Sequence, residues 1–193
     1  MRIIAGIAKG MPLVVPRSGV RPTADRIREA IFSSLGDRLA GARVLDLFAG
    51  TGALGLEAAS RGAESVTFVE NARGALESLE RNLKGFGRNR DVNCCFSVIR
   101  AEVKPQLHKL VNAGEPFSLI FADPPYGVAA QELLLDENLP WLPAGNGLFV
   151  LESAKREALS ASKPWELVRV AIYGDTRVSF LRRDAMISTD AGN

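Results

Sequence analysis

Two hydrophobic periods alternate along this chain of 193 residues. From residue 42, short apolar runs stand between stretches in which apolar positions recur every three or four residues. The runs at 43–48, 65–69, 93–99, 117–121 and 147–151 read as strands, and the longer period predicts helices over 53–61, 72–84, 102–112 and 129–137. Pro105 suits the third of these helices because it falls near the start, where its missing N–H has no partner to lose. Alternation at this spacing predicts a parallel sheet covered on both faces, receiving ligands at the carboxyl ends of its strands. The chain closes differently. Segments 166–173 and 176–182 flank Gly174-Asp175, a hairpin signal, so an antiparallel strand is expected beside the parallel ones.

Ahead of residue 42 the pattern changes again. Residues 2–15 hold two short strand-like runs around Ala5-Gly6 and Lys9-Gly10, an irregular hairpin. Ile27, Ala30, Ile31 and Leu35 then follow Pro22-Thr23 at helical spacing, with Thr23 as candidate N-cap and Gly36 as stop. The expected organisation is an N-terminal hairpin and helix over 1–40, a nucleotide-type α/β domain over 41–183, and a frayed tail over 184–193.

Composition narrows the picture modestly. Apolar content of 47% and charged content of 24% fit a globular domain with a substantial core. No apolar run approaches the ~20 residues that cross a bilayer. Arg2 and Lys9 interrupt the first apolar runs, which therefore do not resemble a secretory signal, and a cytoplasmic location is expected. Cys94 and Cys95 are adjacent, without metal-ligand spacing, and read as core residues of a reducing compartment. His108 is the lone histidine, so no metal site is expected. Trp141 and Trp165 are assigned to packing. The net charge of +2 is uneven. Residues 1–28 carry Arg2, Lys9, Arg17, Arg21, Arg26 and Arg28 against Asp25, a balance of +5, which leaves −3 for the rest. Such asymmetry suggests a basic arm for a polyanion; a solvated surface is the plainer reading.

Candidate chemistry sits at two strand ends. After the first strand comes DLFAGTGALG, in which Gly50, Gly52 and Gly55 match G-x-G-x-x-G, and Glu70 closes the next strand where an acid can hold ribose hydroxyls. The pattern points to a nucleotide cofactor, and Asp46 discriminates among them. A dinucleotide would bring phosphate charge toward this carboxylate and be repelled. S-adenosylmethionine carries no phosphate and ends in an ammonium group that can pair with Asp46. At the end of the fourth strand, Asp123 runs into Pro124-Pro125-Tyr126. Taken alone, these four residues could be a turn. Beside a cofactor loop in the same sheet, they become a candidate substrate site.

DLFAGTG, the Val69-Glu70 pair and DPPY, in that order, resemble the class I S-adenosylmethionine-dependent methyltransferases. MRIIAG, Lys9-Gly10, RPTADRIREAIF and YGDT at 173–176 further resemble the bacterial 16S rRNA guanine-N2 methyltransferases of the RsmD family, over residues 1 to about 183. The resemblance implies a Rossmann-like fold: a seven-stranded, mostly parallel sheet with an antiparallel last strand, helices on both faces, and an N-terminal hairpin and helix. It implies a cofactor site made by Asp46, Phe48, Ala49, Gly50, Thr51 and Gly52, completed by Glu70, Asn71 and Ala101, with Thr23 closing over it. The family often carries Asp or Asn after the third strand for the adenine amino group; here Arg100-Ala101 stand there, followed by Glu102.

The implied reaction methylates the exocyclic N2 amine of a guanine in the small ribosomal subunit's 16S rRNA, by a monomer whose Arg2, Lys9, Arg17, Arg21 and Arg26 hold RNA. Asp123 and the Pro124 carbonyl would accept from the two N–H groups of the amine and direct its lone pair at the methyl. Pro125 stiffens that corner, and Tyr126 offers a stacking face for the extruded base. Adenine-N6 methylation of DNA or RNA is the nearest rival, since that chemistry also uses DPPY. A protein glutamine methyltransferase would resemble Asn-Pro-Pro-Tyr instead. A non-catalytic RNA-binding or assembly factor would have no need of Asp46, Glu70 and DPPY together.

Overall fold

Strands buried on both faces must be apolar almost throughout, and the central strands here are. In a computed structural model, described over residues 1–16, 24–88, 93–125, 129–157 and 159–184, the chain forms α1 (Ala24–Leu35), β1 (Arg43–Leu47), α2 (Ala53–Ser60), β2 (Ser65–Glu70) and α3 (Arg73–Phe86). It continues with β3 (Cys95–Arg100), α4 (Val103–Asn112), β4 (Phe117–Ala122), α5 (Ala129–Leu134), β5 (Pro143–Ala154), β6 (Trp165–Tyr173) and β7 (Thr176–Arg183). The sheet order is β3-β2-β1-β4-β5-β7-β6. β1 to β5 pair in parallel, and β7 runs antiparallel to both β5 and β6. The order reverses at β1 and β4, the place where such sheets take ligands.

Alternation along each strand sorts side chains onto two cores. One face carries Val44, Val66, Phe68, Leu119, Phe121 and Val150, covered by α1, α2 and α3. The other carries Leu45, Leu47, Val69, Ile120, Phe149 and Leu151, covered by α4 and α5. Phe121, fully buried, meets Phe32 of α1 with ring centroids 5.6 Å apart. Truncating such a side chain costs about 3–5 kcal/mol, and Phe121→Ala would loosen α1 from the sheet. The period of two has a further consequence. Asp46 shares a face with Val44, Glu70 with Phe68, and Glu152 with Val150. All three acids therefore project from the strand ends toward the α1–α3 side.

The N-terminal segment is fastened by side chains of α2 and α3. The buried Glu57 carboxylate accepts from the N–H groups of Ile4 (2.7 Å) and Ala5 (3.0 Å) and from Arg61 (2.8 Å). Ser60 donates to the Ala5 carbonyl, and its hydroxyl accepts from Ala8 N–H. Gly6 passes so close, with φ of 81°, that a Cβ there would lie 1.8 Å from the Ser60 carbonyl oxygen. Asn82 accepts from Val14 N–H and donates to the carbonyls of Val14 and Thr51, joining the segment to the glycine loop.

The irregular N-terminal hairpin is present: Ile3 N–H donates to Met11, Gly10 N–H to Ile3 and Leu13 N–H to Met1 around the Arg2–Pro12 bridge, while Ile4, Ala5 and Val14 turn their N–H groups to α2 and α3. Some expectations change. α5 stops at Leu134 and not 137, since Asp136 caps the following turn by accepting from Asn138 and Leu139 N–H. The cysteines are not core residues: β3 is an edge strand, where Cys95 is exposed and Cys94 half-buried. Trp165 does pack, against Phe149. Trp141 does not; it is 44% exposed and carries the Arg183 guanidinium 4.0 Å above its ring. The tail beyond 184 lies outside the described residues.

Candidate active site

The loop between β1 and α2 is a left-handed run. Phe48, Gly50 and Gly52 all have positive φ, at 56°, 56° and 77°. Gly55 has a different reason to be glycine: a Cβ there would sit 2.4 Å from the Phe68 ring and 2.7 Å from Val66, so α2 rests directly on β2. The loop backbone is thereby exposed at the strand tips with no side chain from Gly50 or Gly52 above it.

Two acids hold this loop from beneath. Glu70 accepts from Gly50 N–H at 2.7 Å through one oxygen, and from Asn71 (2.8 Å) and Ala72 (2.7 Å) through the other. Asp46, 2% exposed, accepts from Gly55 N–H at 2.9 Å and so satisfies a donor in the first turn of α2. Burial raises the Asp46 carboxyl to about 8, opposed by the Gly55 bond and assisted by Asp123 and Glu70. One Asp46 oxygen is thus committed to the loop backbone.

A cavity of about 270 Å³ opens at the same strand ends. Phe48, Ala101, Val103 and Leu133 give it apolar walls, and Glu70, Asn71 and Glu102 bring polar groups to its edge. An adenosine group suits this lining: flat apolar walls for the ring and a carboxylate for the ribose. Glu70 keeps one lone pair beyond its backbone bonds, on the oxygen that accepts from Gly50, where a ribose hydroxyl can donate. The Ala101 N–H donates to the carbonyls of Glu70 and Ile99 and is not free for an adenine nitrogen. Glu102 and Lys104 are the polar residues that line the wall after β3. Ala49, Thr51 and Gly52 belong to the loop; Thr51 offers its carbonyl to Asn82.

On the β4 side, Asp123 is exposed, Pro124 buried and Pro125 exposed. Ala122 pairs with Leu151 across β4 and β5, so Asp123 follows abreast of Glu152. Glu152 is half-buried and makes no side-chain hydrogen bond to any described residue. Its carboxyl lies well above the usual range through burial first, then the charges of Asp123 and Asp46, with Arg28 opposing. Arg28 itself is 3% exposed. Its Nη2 donates to the Arg2 carbonyl (2.5 Å) and to Asp25 (2.8 Å), while Nε and Nη1 are buried without partners. Burial lowers its pKa, against the pull of Asp25, Glu57 and Glu152.

Arg28 therefore leaves the basic arm: it is an interior cation. Arg2, Lys9 and Arg26 do come together, exposed around a surface hollow of about 400 Å³ that Asp25 and Glu29 also line. Thr23, Arg17, Arg21 and Tyr126 lie outside the described residues. Glu152 was missed in the sequence although it immediately follows the expected fifth strand, where the carboxyl-end rule applies equally. Glu57 and Asn82 carried no signal at all, because each looks like an ordinary polar position on a helix.

The chain is similar to several known proteins. The family model for conserved hypothetical protein 95 matches residues 1–182. The chain is 36% identical over 197 aligned positions to ribosomal RNA small subunit methyltransferase D of Escherichia coli K12, covering 99% of this chain and 94% of that one. A solved hypothetical protein from Thermus thermophilus superimposes with a TM-score of 0.79 at 33% identity, over 94% of this chain and 99% of its own. A ribosomal protein L11 methylase from Lactobacillus delbrueckii subsp. bulgaricus shares the fold, with a TM-score of 0.66 at 16% identity over 86% and 80% of the two chains.

Proposed function

Since the chain belongs to the conserved hypothetical protein 95 family, we propose that it transfers a methyl group from S-adenosylmethionine to the N2 amine of a guanine in small-subunit ribosomal RNA. One observation carries this reading: Asp123, at the tip of β4, stands beside a loop-and-cavity site whose acids bind backbone and whose walls suit an adenosine. The similarity to a small-subunit rRNA methyltransferase over nearly the whole of both chains supports the substrate class.

S-adenosylmethionine, when bound, supplies an electrophilic methyl on a sulfonium sulfur. In this reading Phe48, Ala101 and Val103 enclose the adenine, Glu102 approaches its amino group, and Glu70 takes the ribose hydroxyls. The loop of Ala49, Gly50, Thr51 and Gly52, with Asn71 beside it, brings backbone close to the cofactor's amino-acid end. Asp46 contributes its charge from beneath, and a cation arriving above it favours its ionised form.

The guanine amine is a weak nucleophile because its lone pair is delocalised into the ring. The Asp123 carboxylate and the Pro124 carbonyl each accept one N–H, which turns the lone pair toward the methyl carbon. The nitrogen–carbon bond forms as the sulfur–carbon bond breaks. Asp123 then receives the proton that the nitrogen must lose. Tyr126 provides the stacking face. Arg2, Lys9 and Arg26 hold RNA phosphate on the α1 side of the sheet, and Arg17 and Arg21 are assigned to the same task. A monomer in the bacterial cytoplasm completes the reading, with residues 1–40 as the RNA-contacting unit and 41–183 as the transfer domain.

Label transfer tests it. The protein, methyl-labelled S-adenosylmethionine and unmethylated small subunits are incubated, and the RNA is digested to nucleosides. N2-methylguanosine is the expected product. Label in N6-methyladenosine, or in no nucleoside, overturns the proposal.

A further inference from the structure

Two acceptors that stand abreast on neighbouring strands form a recognition edge, and β4 and β5 present one. Their backbones lie about 4.8 Å apart, and Ala122 against Leu151 sets Asp123 level with Glu152. Leu119, Phe121 and Asp123 follow one alternation, as do Leu148, Val150 and Glu152, so both acids leave the sheet on the side of α1. Each lies within the other's electrostatic reach, and Asp46 lies within reach of both. The one cation facing Glu152 among the described groups is Arg28, buried and with Nε and Nη1 unpartnered. The Glu152 side chain has no hydrogen-bond partner among the described residues to account for its place there.

With Glu152 ionised, at a pH above the raised range of its carboxyl, such a pair is complementary to two adjacent donors. The Watson–Crick edge of guanine offers N1–H beside the N2 amine. Adenine offers its N6 amine beside N1, a lone pair that a carboxylate repels. The geometry points to Glu152 as the residue that reads the target base: its carboxylate accepts the guanine N1–H while Asp123 accepts from the N2 amine, and Arg28 is the positioning residue that holds Glu152 as an acceptor. This inference rests on the guanine-N2 reading above and adds to it the determinant of base choice. Arg28 also donates to the Arg2 carbonyl, so the same cation links the base-reading edge to the segment that carries Arg2 and Lys9.

2-Aminopurine probes the contact: it keeps the C2 amine and replaces N1–H by a lone pair, and because it also lacks the C6 oxygen the comparison with Glu152→Gln assigns the effect. Small subunits are reconstituted with 16S rRNA carrying guanine or 2-aminopurine at the nucleotide that the unmodified protein labels. The protein is expected to prefer guanine by about 10–100-fold in kcat/KM, since a site built to accept a donor rejects the analogue lacking it. Glu152→Gln can present either an oxygen or an N–H, and should bring the ratio to within about 3-fold of unity. Arg28→Lys should keep the guanine preference, and Arg28→Met should narrow it. Where turnover of Glu152→Gln is too slow to follow, the same ratio is read by competition binding of the two RNAs. The ratio is internal to each variant, so partial loss of folded protein does not disturb it. An unchanged ratio in Glu152→Gln overturns the assignment. Failure of the unmodified protein to make N2-methylguanosine would instead overturn the reading beneath it.

Discussion

The strand tips of β1 and β2 and those of β4 and β5 both end in paired acids, but the pairs are used differently. Glu70 accepts three backbone N–H groups and Asp46 one, so these acids shape the loop that they face. Asp123 is exposed and the Glu152 side chain makes no hydrogen bond among the described residues. A carboxylate occupied by its own backbone fixes geometry, whereas Glu152, held near like charge with an interior cation behind it, is placed in the proposed reading to accept from a ligand. In the proposed reading, acids at equivalent places in one sheet serve cofactor placement on one side and base chemistry on the other.

The sharpest way to break that division is to remove Asp123. Asp123→Ala should lower single-turnover methyl transfer by about 10³-fold or more, a loss typical of a group that acts in the transition state, and calorimetric cofactor affinity should stay within about 3-fold. Comparable losses in both would merge the two regions into one site.

A middle-sized effect concerns the segment that joins them. Gly6→Ala would force a Cβ against the Ser60 carbonyl and strain a residue at φ of 81°. A cost of about 1–3 kcal/mol is expected, read as a melting temperature lower by several degrees together with weaker RNA binding in gel-shift titration. Unchanged RNA affinity would separate the docked segment from the RNA surface.

The smallest effect is also the most specific. Asp46 has a folded-state pKa raised to about 8, so its burial is harmless while protonated and destabilising as pH climbs from about 4 toward 8. Asp46→Asn, which still accepts from Gly55, should therefore raise the melting temperature of the cofactor-free protein at pH 9, by about 2–4 °C per kcal/mol relieved. That gain should vanish near pH 4. A gain of equal size at both pH values would contradict the burial of a titrating carboxyl.

The alternating periods made the sheet legible because each buried strand had no choice but to be apolar, and the strand bounds shifted only by residues at their ends. DLFAGTG and Asp123 were legible for a related reason: left-handed glycines and a proline-locked acid are costly unless something uses them. Arg28 was misread because its sequence neighbours are surface cations, whereas its position on α1 beside Ile27 and Ile31 turns it inward. Glu57 and Asn82 were invisible because their partners are backbone groups of a distant segment, which no local pattern encodes. Cys94 and Cys95 show the converse, an apolar stretch whose strand falls at the sheet's edge.

The division between the two strand-tip pairs meets its most direct test in one paired measurement: cofactor dissociation constant and saturating single-turnover rate for Glu70→Gln and Asp123→Asn. Glu70→Gln should weaken cofactor binding by about 10–100-fold, the loss of charge-assisted hydrogen bonds, and retain most of the rate once saturated. Asp123→Asn should do the reverse. Variants that lose affinity and rate in equal measure would show that the two pairs of acids are not divided at all.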